Sequence, residues 1–246
     1  METISNKEIE DYIEKQLPEF YRKRLEGLER LNLKEILKRK NPYLFRVKHN
    51  NVAHDLVKGI LDAHISSSDE AIFGNWLEAL AIFINSKVYG GQKSGILGID
   101  LEFTRDDIRY LVAIKSGPNW GNSDQIRKMV ANFQAAKRTL STSGAKQRIE
   151  CVNGCCYGKS STEMKKEGYY KYCGQRFWEF ISGNNDLYLE IIEPLGKKTK
   201  KRNEAYQKLY DGVLNVLSSQ FIQEFCDSKG NIKWDSVVRL NSEHNK

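Results

Sequence analysis

The stretch that decides the fold is GIDLEFTRDDIRYLVAIKSGPNW, which runs from Gly98 to Trp120. Leu97, Ile99, Leu101 and Phe103 alternate with Asp100 and Glu102, the two-residue period of a strand. Arg105-Asp106-Asp107 is a charged turn. Tyr110, Leu111, Val112 and Ile114 then mark a return strand over residues 109–116, and Gly117-Pro118-Asn119 stops it. The two arms make a hairpin. Side chains alternate along each arm, so Asp100 and Glu102 share a face, as do Ala113 and Lys115. With the turn at Asp106 and Asp107, Asp100 lies across from about Ala113, and Lys115 lies roughly one step further along.

Upstream, residues 5–40 carry helical spacing, through Ile9, Tyr12, Ile13 and Leu17 and then Leu25, Leu28, Leu31 and Leu33. Pro18 is expected to break or restart this helix. The run KEILKRK, residues 34–40, puts basic residues near a helix end before Asn41-Pro42, a favourable dipole position. Residues 51–64 form another helix, and Ser66-Ser67-Ser68-Asp69-Glu70 reads as a polar break with N-cap candidates. AIFGNWLEALAIFINSKVYGG follows, the most apolar stretch of the chain, with a helix expected over about 71–86 and Gly90-Gly91 ending it. Its one internal charge, Glu78, either finds a partner or faces solvent, because burying an unpaired carboxylate is costly.

Downstream, Ser123-Asp124-Gln125 starts a helix to about Leu140. A strand lies within residues 147–157, and Tyr169–Cys173 is short and β-like. A helix starts at Arg176, residues 186–195 are helical or mixed, and the last third is mainly helical with a turn at residues 228–231. There is no internal repeat. This order describes an α/β chain with a mixed central sheet flanked by helices and additional N- and C-terminal helices.

Composition narrows the function classes. The 246 residues are 40% apolar and 11% aromatic, which suits a soluble globular chain with a real core. No apolar run approaches the roughly 20 residues of a membrane span, and METISNKEIEDYIEK lacks the apolar segment of a secretory signal. Five cysteines, an odd number in a long chain, point to a reducing cytosol. The net charge of +7, from 39 basic and 32 acidic residues, favours a polyanionic partner. Cys151, Cys155, Cys156 and Cys173 follow the spacing C-x3-C-C-x16-C, which is not a paired zinc pattern, so no zinc is expected and buried thiols are. His49, His54 and His64 make no metal motif, and no phosphate-cradling G-x-x-x-x-G-K-[ST] loop exists.

The hairpin carries the chemistry. Two carboxylates and an ammonium converging on one patch suit Mg²⁺, which takes one or two acids plus waters and phosphate oxygens. Such an ion activates water, and a lysine beside it can orient that water or neutralise developing charge. The bland alternative is an exposed hairpin face with ordinary surface charges. The segment Asn119 to Gln125 is small and polar, so Ser123 or Gln125 could touch a phosphate at the helix N-terminus, or Ser123 could simply cap the helix.

Asp100 and Lys115 resemble the core of the PD-(D/E)XK nuclease superfamily. More narrowly, the chain resembles Type II restriction endonucleases that cut interrupted GC-rich palindromes of the RGGNCCY and GGNCC kind. The similarity runs from about Asn41 to Leu240, through Asn41-Pro42-Tyr43, Phe73-Gly74 to Glu78, Ile99-Asp100, and Lys115-Ser116-Gly117. It continues through Tyr157-Gly158-Lys159-Ser160, Phe177-Trp178-Glu179-Phe180 and Gly230-Asn231-Ile232-Lys233-Trp234. The resemblance implies Asp100 as a metal-binding acid and Lys115 as the catalytic lysine. Ala113 departs from the second acid of the superfamily. Glu78, on the preceding helix, is the preferred replacement, and Glu102 is the local fallback.

The resemblance further implies a single endonuclease domain over residues 1–246. Its parts are an N-terminal helical part to about 65, a catalytic core over about 66–195 and a C-terminal helical part over about 196–246. It implies Mg²⁺ with Mn²⁺ as a substitute, 5′-phosphate ends, a C₂ homodimer on double-stranded DNA, no membrane, a prokaryotic cytoplasmic location and a cognate DNA methyltransferase in the host. Candidate DNA contacts are Ser116, Asn119, Asn122, Ser123, Gln125, Lys159, Ser160 and Arg176, and the runs Lys159–Lys166 and Lys197–Arg202 offer further basic candidates. The second run reads more readily as a solvated, disordered loop than as a base reader. Two other readings stay open: a different PD-(D/E)XK nuclease acting in repair or on RNA, and a non-catalytic DNA-binding protein with a decayed site, which Ala113 alone supports.

Overall fold

The computed structural model describes residues 4–142, 147–160, 164–197 and 199–244. The chain divides into two compact units, one formed by Met1–Pro18 and Phe73–Lys197, the other by Glu19–Ile72 and Lys198–Lys246. In chain order the elements begin with helices α1 (Asn6–Glu29), α2 (Leu33–Lys38), α3 (Pro42–Val47) and α4 (Ala53–Tyr89). Strands β1 (Gln92–Lys93), β2 (Leu101–Arg105) and β3 (Ile108–Lys115) follow, then α5 (Ser123–Thr142), β4 (Arg148–Cys155) and β5 (Tyr170–Cys173). Helices α6 (Gln175–Ser182), α7 (Leu187–Glu190), α8 (Ile192–Gly196), α9 (Thr199–Phe225) and α10 (Trp234–Ser242) complete the chain.

The first unit is built on a five-stranded mixed sheet in the order β1-β2-β3-β4-β5. The β1–β2 and β2–β3 pairs are antiparallel, and the β3–β4 and β4–β5 pairs are parallel. The hairpin forms as its sequence requires. Asp106 and Asp107 take φ of 52° and 59°, the left-handed conformation that a tight two-residue turn demands and that aspartate tolerates. Leu101 pairs with Val112 and Arg105 with Ile108. On one face, Leu111 and Ala113 of β3 and Cys151 of β4 pack with Met129, Phe133 and Ala136 of α5. On the other, Phe103 and Tyr110 stack with each other and meet Phe180 of α6. Burying each such large apolar side chain contributes roughly 1.5–3 kcal/mol.

In the second unit, Leu33, Ile36 and Leu37 of α2, Phe45 of α3 and Leu56, Val57, Ile60 and Leu61 of α4 share a core. Tyr210, Leu214, Leu217 and Phe221 of α9 and Val237 of α10 join it. The Asn241 side-chain amide donates to the carbonyls of Leu37, Lys38 and Lys40, which ties α10 to the end of α2.

Four expectations change. Pro18 lies inside α1 without ending it. A helix-interior proline costs about 3 kcal/mol, and burial of Ile9, Ile13 and Leu17 offsets that loss. The polar run Ser66–Glu70 is no break, since α4 is continuous from Ala53 to Tyr89. The run holds no glycine or proline, and Ser67 Oγ donates back to the Ala63 carbonyl at 3.0 Å, as a serine in mid-helix can. Leu97 is not part of the strand: it is 82% exposed in a turn before Ile99. The basic run after Lys197 is not a loop, because α9 begins at Thr199, and lysine and arginine are good helix formers.

Candidate active site

β2 ends its backbone pairing at Leu101, and Asp100 continues the ladder in two ways. Its amide donates to the Val112 carbonyl at 2.9 Å. Its carboxylate then accepts the next donor of β3, the Ile114 N–H, at 2.7 Å. The aspartate is thereby held at the end of the hairpin, across from Ala113. Lys115, the last residue of β3, places its ammonium 3.6 Å from the Asp100 carboxylate, 2.9 Å from the Ile114 carbonyl and 5.4 Å from the centre of the Trp120 ring. Both side chains stay partly open to solvent, as a site that meets substrate must.

Glu78 reaches the same place from α4. Burial pushes its carboxyl above the usual carboxylate range, and the neighbouring Asp100 carboxylate pushes it further. Lys93, at 3.5 Å, and Lys115 pull the other way. Glu78 therefore does not stand alone in its apolar helix. Burial, and after it the Glu78 charge, push the Cys156 thiol up to about 12. Close approach of α4 to the end of β3 brings Gly74 against Ser116, where an added Cβ would sit 3.4 Å from the serine Cβ.

Glu102 lies on the same arm as Asp100 but is engaged elsewhere. Its carboxylate pairs with Arg109 at 2.9 Å and accepts from Gln92 Nε2 at 3.2 Å. The fallback acid thus already has two partners, Arg109 and Gln92. Among the described residues, no group of three or more His, Cys, Asp or Glu side chains comes together to hold a metal ion. Asp100 and Glu78 are a pair of oxygen donors, the kind of set that suits Mg²⁺.

At the start of α5 the capping residue is Asn122, where Ser123 was the sequence candidate. Asn122 Oδ1 accepts from the amides of Asp124 and Gln125, and Gln125 Oε1 accepts from the Asn122 amide at 3.0 Å. This reciprocal box uses both side-chain oxygens internally. Asn119 and Ser123 are exposed, and Ser116 is half-buried. Lys159 is exposed, while Ser160 Oγ donates to the Lys171 carbonyl at 2.8 Å. Arg176 pairs with Glu179 at 3.0 Å and lies over the Tyr172 ring. Residues 161–163 of the Lys159–Lys166 run, Lys198 and the side chains of Thr199 and Lys201 lie outside the described residues. Lys197 pairs with Glu10 at 2.5 Å, and Arg202 covers the Tyr21 ring.

Five free cysteines are buried, and Cys155 and Cys173 are register partners on β4 and β5. Burial pushes Cys151 up to about 11, so this thiol is a poor nucleophile. Three residues at the site escaped sequence reasoning: Lys93, Trp120 and Asn153. The last left a signal, an amide inside the apolar run of β4 where strands disfavour asparagine.

Residues 7–203 match the family model of Type II restriction endonuclease EcoO109I. A comparison with curated proteins found no match. The matched span contains the whole mixed sheet together with Glu78, Asp100 and Lys115, and it covers most of the chain. The chain belongs to the Type II restriction endonuclease EcoO109I family and is a site-specific deoxyribonuclease.

Proposed function

We propose that this enzyme hydrolyses phosphodiester bonds at a short GC-rich interrupted palindrome with Mg²⁺, leaving 5′-phosphate ends, and that Mn²⁺ substitutes. The observation that carries this reading is the meeting of Glu78 and Asp100 beside the Lys115 ammonium, with Glu78 raised by burial and by Asp100. Like-charged carboxylates held together in a half-buried place are stabilised by a cation between them. Glu78 and Asp100 would hold the ion, with Glu102 second in rank because of its pair with Arg109. When bound, the ion supplies an activated water and neutralises charge on the phosphate. Lys115 orients the attacking water or stabilises the developing negative charge.

Both units serve one endonuclease, which acts as a C₂ homodimer so that its symmetry matches that of the palindrome. The partner is double-stranded DNA in a prokaryotic cytoplasm, with a cognate methyltransferase protecting the host. Exposed Asn119, Ser123, Lys159 and Arg176 are candidate contacts, with Ser116, Asn122, Gln125 and Ser160 beside them. Arginine or lysine on guanine O6 and N7 is the specific contact that a GC-rich site calls for. The test is a plasmid digest with Mg²⁺ and sequencing of the fragment ends. Discrete fragments with one shared GC-rich palindrome at their ends are expected, and they must vanish with EDTA or in the Lys115→Ala variant. A smear, or cutting that persists in that variant, overturns the reading. Ala113 favours one rival, a DNA-binding protein with a decayed site. That rival predicts a wild type that binds DNA and never cuts it.

A further inference from the structure

We propose that Trp120 and Asn153 form a positioning relay that aims the Lys115 ammonium. The inference rests on the reading of Lys115 as the catalytic lysine. Asn153 is 1% exposed on β4, and it is the register partner of Ala113. A buried amide costs free energy unless both of its ends are bonded. Here both are. Its Nδ2 donates across the strand pair to the Ala113 carbonyl at 3.2 Å. Its Oδ1 accepts from the Trp120 indole N–H at 3.2 Å, with the Cys155 thiol at 3.9 Å on the same oxygen. The donor end and the acceptor end are therefore assigned without ambiguity, and the tip of the indole is pinned.

The pinned ring faces Lys115. Its centre lies 5.4 Å from Nζ, within the range at which an ammonium is drawn to an aromatic face. A lysine side chain has a long flexible stem and gains a defined position only from its surroundings. Trp120 supplies one wall, and the Asp100 carboxylate and the Ile114 carbonyl supply the others. In this arrangement the β4 residue beside Ala113, where β3 lacks an acid, is committed to lysine placement. Neither Trp120 nor Asn153 touches the reacting atoms, so both are positioning residues.

The experiment compares wild type with Trp120→Phe, Trp120→Leu and Asn153→Leu on a duplex that carries a mapped cut site. Single-turnover cleavage with Mg²⁺ and DNA affinity in EDTA are measured separately. Trp120→Leu is expected to slow cleavage on the order of ten- to hundredfold, the scale of a misplaced catalytic group, with DNA affinity unchanged. Trp120→Phe, which keeps a ring face, recovers most of the rate, and Asn153→Leu falls between. The relay is overturned if Trp120→Leu cuts at the wild-type rate, if its loss lies in DNA affinity, or if Trp120→Phe falls as far as Trp120→Leu. Should the Trp120 variants not fold, the ring-current shift of the Lys115 Hε protons in the wild type decides, and its absence overturns the relay. Lys115→Ala separates the two levels of inference. If that variant cuts normally, the lysine reading fails. If it is inactive while Trp120→Leu is unimpaired, only the relay fails.

Discussion

Asp100 carries two duties that substitution can separate. Its carboxylate closes the β2–β3 ladder by accepting the Ile114 N–H at 2.7 Å, and it stands beside Glu78 and Lys115. Asp100→Ala removes both functions and leaves the amide of Ile114, a residue only 3% exposed, without its acceptor. Hydrogen bonds to charged groups contribute about 1.5–3 kcal/mol, and an unsatisfied buried donor costs a similar amount. For a chain of this size each kcal/mol moves the melting temperature by about 2–4 °C, so Asp100→Ala is expected to melt roughly 4–10 °C lower in EDTA. Asp100→Asn keeps an oxygen for the Ile114 N–H, and what it gives up with Lys115 is a partly exposed pair worth about 0–1 kcal/mol. Its melting temperature stays near wild type. Cleavage tells the reverse story. Losing several kcal/mol of metal-assisted stabilisation is a loss of about a thousandfold or more, and both variants suffer it. Hydrogen exchange at the Ile114 amide gives the local check, with protection kept in Asp100→Asn and lost in Asp100→Ala. If Asp100→Asn cuts at the wild-type rate, or if Asp100→Ala keeps both its melting temperature and that protection, the reasoning is wrong.

Three further outcomes are expected. Glu78→Gln abolishes Mg²⁺-dependent cleavage, whereas Glu102→Gln, which loses only its ties to Arg109 and Gln92, changes the rate little; equal losses in a side-by-side digest would return Glu102 to the site. Ala113→Glu does not restore cleavage to Glu78→Gln and lowers stability by several kcal/mol, because overpacking and carboxylate burial both act where Ala113 is packed against α5; a plasmid digest and thermal melts check both halves. Burial first, then Lys40 and Arg39, hold the His64 imidazole below its ordinary value, so its contribution is present above pH about 6.5 and lost as pH falls through the depressed folded value. Melts at pH 8 and pH 5 should therefore show a shallower acid loss for His64→Gln than for wild type, and parallel curves would contradict this.

How much of this was legible in the sequence depends on the range of the determining interaction. The hairpin was legible because its period, its turn residues and its stop signal are all local, and the register that opposes Asp100 to Ala113 follows from the turn position. Strands β4 and β5 and helices α5 and α6 announced themselves for the same reason. Pro18 and Ser66–Glu70 misled because burial along the rest of α1 and α4 overrides a local propensity. The cap at Asn122 was missed by one residue because Asn, Ser and Asp all stand there and only geometry ranks them. β1 is two residues long and carries no pattern, yet it supplies Lys93 to Glu78.

Packing accounts for the small apolar side chain at Ala113. A residue at this position points into the apolar layer between β3 and α5, shared with Leu111, Met129 and Phe133. Such a layer favours a small apolar side chain and would penalise a carboxylate by several kcal/mol. Glu78 meets Asp100 from α4, at a half-buried place flanked by two lysines that offset part of the cost of its charge. The same two strands then use the freed neighbourhood differently, since the Ala113 carbonyl orients Asn153, and Asn153 orients Trp120. If Glu78 is the acid that replaces the one absent from the hairpin, as proposed, the chemistry also needs the Lys115 ammonium to stay aimed. In the proposed relay the bonded amide of Asn153, beside Ala113, holds the Trp120 ring that the ammonium faces.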